Sequence, residues 1–192
     1  SGADYAKFQS WKESNLIEGP WDDNEPFCGY KNKRDFYKKA ELSDQNHLDL
    51  IEYCNKVGIK FLTTCFDVDR TGFLSTLGLD TIKVASTDST SKKMIQDLSS
   101  KFDRLIVSTG MTTLDEIKEL CVWLPFYAKK HVVMHCVSIY PTPLDRVSID
   151  KMFWIKEHLN PRGFRDSDGP GEWGVSDHSL GNYTCFGSVS LG

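Results

Sequence analysis

The stretch VVMHCVSIYPTP, residues 132–143, is an apolar run that turns polar at its carboxyl end. Short apolar runs bounded by polar or turn residues predict buried β-strands. The same pattern recurs on both sides of this stretch. The predicted strands are Tyr5–Gln9, Ile59–Phe66, Thr81–Ser86, Leu105–Ser108, Val132–Val137 and Trp173–Asp177.

Several intervals between these strands show helical periodicity. An apolar stripe stops just before Gly58, a residue type common immediately after a helix, and Thr113 with Glu116 forms a capping box for another helix. We assign these stripes to the core: Leu48, Ile51 and Cys54; Leu114, Ile117, Cys121 and Leu124; and Ile149, Met152, Ile155 and Leu159. Alternating strands and helices predict an α/β fold with a parallel sheet, open or closed, which binds ligands beyond the carboxyl ends of its strands.

The composition is that of one soluble globular domain covering residues 1–192, with 40% hydrophobic and 26% charged residues. A net charge of -4 gives no electrostatic support for a nucleic-acid or membrane partner. The six cysteines are scattered and predict reduced core thiols. Without a leader sequence or a long apolar run, the expected location is the cytoplasm. Segments Asn15–Lys39 and Asn160–Gly171 are predicted to be long irregular loops.

Polar residues concentrate where the predicted strands end. They are Lys7, Gln9, Thr64, Lys83, Ser86, Asp88, Ser108, Ser138, Tyr140, Ser176, Asp177 and His178. If the strands are parallel, these side chains converge on one rim, and two lysines among hydroxyls, near the backbone N–H groups of Gly110, would suit a phosphorylated carboxylate.

Other interpretations of these residues remain open. A lysine near a strand end is often a solvated surface charge, and Lys83 within an apolar strand is also compatible with a Schiff-base lysine of a class I aldolase. His178 is a candidate metal ligand or base, although a single histidine is more often structural. His135 lies inside an apolar run and is predicted to be a core histidine.

Six ordered motifs carry a resemblance to a known family. They are KFQ at 7–9, FLTTCFD at 61–67, IKVAS at 82–86, STGM at 108–111 ahead of TLDEI at 113–117, HCVSIYPTP at 135–143 and GVSDHSLG at 174–181. In order and spacing they resemble the N-acetylneuraminate (sialic acid) synthase family over nearly the whole chain.

The resemblance implies a (β/α)₈ TIM-type barrel that condenses phosphoenolpyruvate with an N-acetylmannosamine-type aldehyde, with Mn²⁺ or Mg²⁺ as cofactor. By position, the residues around phosphoenolpyruvate would be Lys7, Thr64, Lys83, Ser86, Ser138 and Ser176. Gln9 and Ser108 would also be substrate-binding residues. Tyr140 would line the sugar pocket, Asp88 would lie near the reacting centre, and His178 would act in catalysis as a metal ligand. Many relatives have asparagine where this chain has Ser138, so the geometry of that contact is expected to differ.

The resemblance also implies that family members have more strands than we find here. About six of the eight βα units are represented, without the first strand and its acidic sugar-binding residue, the last strand with the second metal histidine, or the carboxyl-terminal antifreeze-like domain that reaches across a homodimer. We therefore expect a fragment that is inactive alone. The alternatives are a non-catalytic remnant or a class I aldolase-type lyase using Lys83.

Overall fold

In the computed structural model, the described residues are 2–16, 24–128, 130–159 and 171–190. They fall into two compact units, residues 1–79 and 80–192. Both are built from parallel strands and helices, which confirms the predicted α/β class. Among the described residues, no helix combines the length and the apolar character needed to cross a membrane.

The first unit contains two parallel strands and three helices. Strands β1 (Tyr5–Ser10) and β2 (Lys60–Cys65) pair in parallel, with Tyr5 aligned to Lys60 and Ser10 to Cys65. The helices are α1 (Lys33–Ala40), α2 (Asp44–Val57) and α3 (Arg70–Ser75). As predicted, α2 ends at Gly58, whose φ of 76° is a left-handed conformation that favours glycine.

The second unit is a four-stranded parallel sheet with helices following its strands. Its strands are β3 (Thr81–Val84), β4 (Arg104–Ser108), β5 (Lys130–Cys136) and β6 (Glu172–Ser176), and each pairs with the next in chain order. Its helices are α4 (Lys92–Lys101), α5 (Leu114–Tyr127), α6 (Lys151–Leu159) and α7 (Tyr183–Ser190).

The core of the second unit is formed by strand side chains packed under the apolar faces of its helices. Leu105, Val107 and Val133 are fully buried on the strands, and Leu98, Leu124 and Ile155 lie over them on α4, α5 and α6. Because these strands are covered, they read as continuous apolar runs in the sequence. The predicted capping box of α5 is present: Thr113 accepts from Glu116 N, and Glu116 accepts from Thr113 N at 2.7 Å.

Two predictions about local structure are wrong. Helix α1 begins inside the predicted irregular loop Asn15–Lys39 and extends one residue beyond it, because the Asn32 side chain accepts from Asp35 N at 2.8 Å and caps a helix there. Cys28 and Cys185 are exposed, whereas the other four thiols are buried as predicted. Neither exposed cysteine is enclosed by apolar neighbours in the sequence. Most of the second predicted loop, residues 160–170, lies outside the described residues.

Candidate active site

The carboxyl ends of β3 and β4 bring a lysine and a serine together. The Lys83 ammonium donates to Ser108 Oγ at 2.7 Å, and Ser108 is 1% exposed. Lys83 is half-buried, so its charge lies at the border between the core and the solvent. Since the buried hydroxyl holds one N–H of the ammonium, the remaining N–H groups are oriented relative to the sheet. In this structure Ser108 therefore fixes the position of the Lys83 ammonium.

Gly110, just after β4, is closely surrounded by three side chains. Its N–H donates to Ser86 Oγ at 3.0 Å. A Cβ on Gly110 would lie 2.5 Å from Ser138 Oγ, 2.9 Å from Cys136 Sγ and 3.1 Å from Ser86 Oγ. We call Gly110 and these three side chains the glycine cradle. Only a residue without a side chain fits at its centre, which brings backbone and hydroxyl groups of three strand ends together.

His178 is held on several sides in the loop after β6. Its Nδ1 lies 3.8 Å from Cys136 Sγ and 3.4 Å from Val137 O, and its ring centroid is 4.4 Å from that of Tyr140. Its carbonyl accepts from Thr142 N at 2.9 Å. The structure thus brings His178 and Tyr140, two predicted site residues, into direct contact.

Asp177 does not orient its neighbour His178. Its carboxylate accepts from Ser179 N at 2.9 Å and lies 3.5 Å from Cys185 Sγ. The carboxylate thereby folds back on its own loop, and the imidazole depends on other groups for its orientation.

Ser176 and His178 line a small cleft at the end of β5 and β6. The other lining residues are His135, Cys136, Val137, Thr142, Val147, Val175, Asp177 and Thr184. His135 is 3% exposed and its Nε2 lies 2.6 Å from Val147 O, which confirms the predicted core histidine.

Asp88 closes a short 3₁₀ turn, Ser86–Asp88, directly after β3. Its Oδ2 accepts from Thr87 Oγ1 at 2.9 Å. Burial raises the pKa of Asp88, because desolvation penalises the carboxylate more than the hydrogen bond to Thr87 stabilises it. A carboxyl group with a raised pKa is suited to proton transfer.

Three predicted site residues belong to the first unit. The register aligns Gln9 with Thr64, and alternation along β1 places Lys7 on the same face as Gln9. Desolvation by neighbouring atoms lowers the pKa of Lys7, although the side chain keeps substantial exposure. Thr64 is 1% exposed, and its Oγ1 has no hydrogen-bond partner among the described residues. That Lys7 and Lys83 share one cleft stays a prediction.

Sequence reasoning missed Cys136 as a site residue. It is the last residue of β5, belongs to the glycine cradle and also contacts His178. Its position two residues before Ser138 was the available signal, but the adjoining apolar run indicated a core thiol.

Comparison with protein families matches residues 1–192 to the NeuB family. The chain belongs to the NeuB family. N,N'-diacetyllegionaminic acid synthase of Campylobacter jejuni is 30% identical over 100% of this chain and 57% of its own length. Pseudaminic acid synthase of the same organism is 26% identical over 100% of the chain and 54% of its own length. The chain thus spans about half the length of these relatives.

A solved structure also resembles this NeuB-family chain. The N-acetylneuraminic acid (sialic acid) synthetase of Leptospira borgpetersenii, in complex with citrate, superimposes with a TM-score of 0.78 at 25% identity. The match covers 99% of this chain and 60% of that one. The α/β fold predicted for this chain is therefore shared with the matched part of that synthetase.

Proposed function

We propose that this chain is part of an enzyme that condenses phosphoenolpyruvate with an N-acetylmannosamine-type sugar, giving a sialic acid or a related nonulosonic acid and releasing phosphate. The observation that carries the proposal is the Lys83–Ser108 pair beside the glycine cradle, in a chain that matches the NeuB family throughout. The relatives differ in their named products, so the acceptor is one of three kinds: N-acetylmannosamine, its 6-phosphate, or a legionaminic or pseudaminic acid precursor.

The hydrogen-bond directions suit the binding of an anion. Ser86 Oγ already accepts from Gly110 N, so its own hydrogen is available for donation. Lys83, fixed by Ser108, supplies a positive charge nearby in sequence and structure. Charge-assisted hydrogen bonds of this type are stronger than neutral ones and would hold the phosphate or carboxylate of phosphoenolpyruvate. Ser138, which follows β5, and Ser176, which ends β6, would complete the contacts. The resemblance also assigns Lys7, Gln9 and Thr64 to substrate binding.

In the proposed reaction, C3 of phosphoenolpyruvate forms a bond to the aldehyde carbon, water adds at C2, and phosphate leaves with cleavage of the C2–O bond. No enzyme nucleophile takes part, so Lys83 acts as a charge partner and not as a Schiff-base amine. Asp88, with its raised pKa, is the candidate for moving a proton near the reacting carbon. Tyr140 would line the sugar side.

His178 is the one candidate site residue that we assign as a protein ligand of a divalent metal. Nδ1 of His178 is engaged by Cys136 and Val137, whereas no partner of Nε2 occurs among the described residues. Those residues also contain no group of three or more His, Cys, Asp or Glu side chains arranged to hold a metal. Bound at Nε2, Mn²⁺ or Mg²⁺ would supply a Lewis acid for the aldehyde oxygen.

The first test is phosphoenolpyruvate binding by calorimetry in Lys83→Ala. We expect a loss of about 3–5 kcal/mol, the range for removing one partner of a desolvated charge pair. Lys93→Ala is the matched control, because Lys93 is an exposed lysine on α4. Equal binding in both variants would contradict the anion role of Lys83.

The second test is turnover, followed as phosphate release with each candidate sugar and Mn²⁺. We compare residues 1–192 with a form extended by the flanking segments of full-length family members, and expect turnover only in the extended form. Borohydride with a carbonyl substrate tests the aldolase alternative: a covalent adduct on Lys83 would establish it and exclude the charge-partner role.

A further inference from the structure

Cys136 lies between the two parts of the candidate site. It is 6% exposed, its sulfur is 3.8 Å from His178 Nδ1, and it is one of the three groups that a Cβ on Gly110 would strike. A buried cysteine usually acts as a small apolar residue. Here, however, the sulfur faces a ring nitrogen, so its contact has a direction as well as a volume.

The atoms around Nδ1 determine which ring nitrogen of His178 carries the proton. Val137 O, 3.4 Å away, can only accept a hydrogen bond. An unprotonated Nδ1 would place its lone pair against those of the carbonyl oxygen. A proton on Nδ1 instead gives a hydrogen shared between the carbonyl oxygen and the sulfur of Cys136, which is a weak acceptor. Asp177, the neighbouring carboxylate, is bound to Ser179 N and offers no competing acceptor.

We propose that Cys136 is a positioning residue for His178, whose sulfur, together with Val137 O, holds the imidazole as the Nδ1–H tautomer and leaves the Nε2 lone pair free. Metal-binding histidines commonly donate their second ring N–H to an acceptor in this way. Tyr140 contributes by packing on the ring, at 4.4 Å between centroids. The value of this tautomer for metal binding rests on the proposed function, but the tautomer itself does not.

The test is ¹⁵N NMR of the purified protein labelled at histidine, at a pH well above the ordinary histidine pKa of about 6.5 so that every imidazole is neutral. The chain has five histidines, and His178→Gln assigns the signal of interest. We expect His178 to be mainly the Nδ1–H tautomer in the unmodified protein. In Cys136→Ala we expect a larger share of the Nε2–H tautomer, because Nδ1–H loses one of its two acceptors and keeps only the 3.4 Å contact to Val137 O.

Three variants separate positioning from packing. Cys136→Ser keeps an acceptor and should retain the tautomer, whereas Cys136→Val fills the space without an acceptor and should give the larger Nε2–H share even if Cys136→Ala folds poorly. Cys121→Ala removes the same atom from a thiol that is 1% exposed in α5, and should leave His178 unchanged. An Nδ1–H tautomer that is minor in the unmodified protein, or equally dominant in Cys136→Val, would overturn the proposal.

Mn²⁺ affinity of the extended form used for the turnover test, measured by electron paramagnetic resonance, provides the second measurement. Loss of an outer-shell partner typically weakens metal binding by about 10- to 100-fold, and we expect about 10-fold in Cys136→Val relative to Cys121→Ala. If the tautomer changes as expected but no variant binds Mn²⁺, the proposed function fails and the positioning role of Cys136 stands. If Mn²⁺ binds equally in all variants with an unchanged tautomer, the positioning role fails alone.

Discussion

Replacing Gly110 by alanine is expected to disturb the candidate site from its centre. The φ of Gly110 is not in the left-handed region, so the backbone itself accepts alanine. The new Cβ, however, would lie 2.5 Å from Ser138 Oγ, well below the 3.4 Å at which ordinary contact begins. Cys136 Sγ at 2.9 Å closes a second side.

The expected loss of stability follows from these contacts. Inserting one carbon into a well-packed site costs about 1–3 kcal/mol, and turning Ser86 away from Gly110 N would forfeit a hydrogen bond of about 0.5–1.5 kcal/mol. The lower entropy of the unfolded alanine chain returns about 0.4–1 kcal/mol. We therefore expect a net loss of about 0.5–4 kcal/mol. The Tm should fall by roughly 2–4 °C for each kcal/mol lost.

Urea unfolding of Gly110→Ala measures this loss, with Gly174→Ala as the control. Gly174 lies on β6 in the same sheet, and its Cβ would meet only Met134 Cε at an ordinary 3.6 Å. That control should be stabilised by about 0.5–1 kcal/mol, since alanine replaces glycine inside a strand. Adding Ser138→Ala to Gly110→Ala removes the nearest clash and should recover part of the loss. The reasoning is refuted if Gly110→Ala is as stable as Gly174→Ala.

Two further changes test other parts of the structure. Thr113→Ala should lower the stability by about 1 kcal/mol by removing the N-cap of α5, whereas Thr113→Ser keeps the cap; equal urea midpoints for the two would contradict this role. Asp88→Asn should raise stability at neutral pH, because burial raises the folded-state pKa of Asp88 and its charged form therefore opposes folding. This gain should disappear as the pH falls and the carboxyl protonates, which a pH series of unfolding midpoints against the exposed control Asp103→Asn can measure; a gain independent of pH would count against it.

Strands β2, β3, β4 and β5 were predictable because they are largely buried and therefore appear in the sequence as apolar runs, whereas β1 and β6 are more exposed. Their predicted ends differ from the observed ones by one or two residues, as at β3, which stops at Val84 because residues 86–88 form a 3₁₀ turn. Helices α1, α3, α4 and α7 were not predicted, and for α3 and α7 the sequence shows why. Each contains a glycine, Gly72 or Gly187, and α7 adds Thr184 and Val189, residue types with low helix propensity.

The candidate site was predictable only where its residues follow strand ends. Lys83 and Ser108 end neighbouring parallel strands, so their contact follows from topology. The contact between Cys136 and His178 joins residues 42 apart, and it depends on the direction that the chain takes in the two residues after β6, which no local pattern records. Likewise, Asp177 adjoins His178 in the sequence but turns toward Ser179, because backbone conformation decides where each side chain points.

The pairing of each strand in the second unit with its successor also bears on how the protein is made. Each pairing among β3, β4, β5 and β6 joins strands that are consecutive in the chain. Pairing consecutive strands closes smaller loops than pairing strands farther apart in the chain would. During synthesis, the strand that each new strand pairs with has therefore already left the ribosome. The sheet can form in chain order, one βα unit at a time.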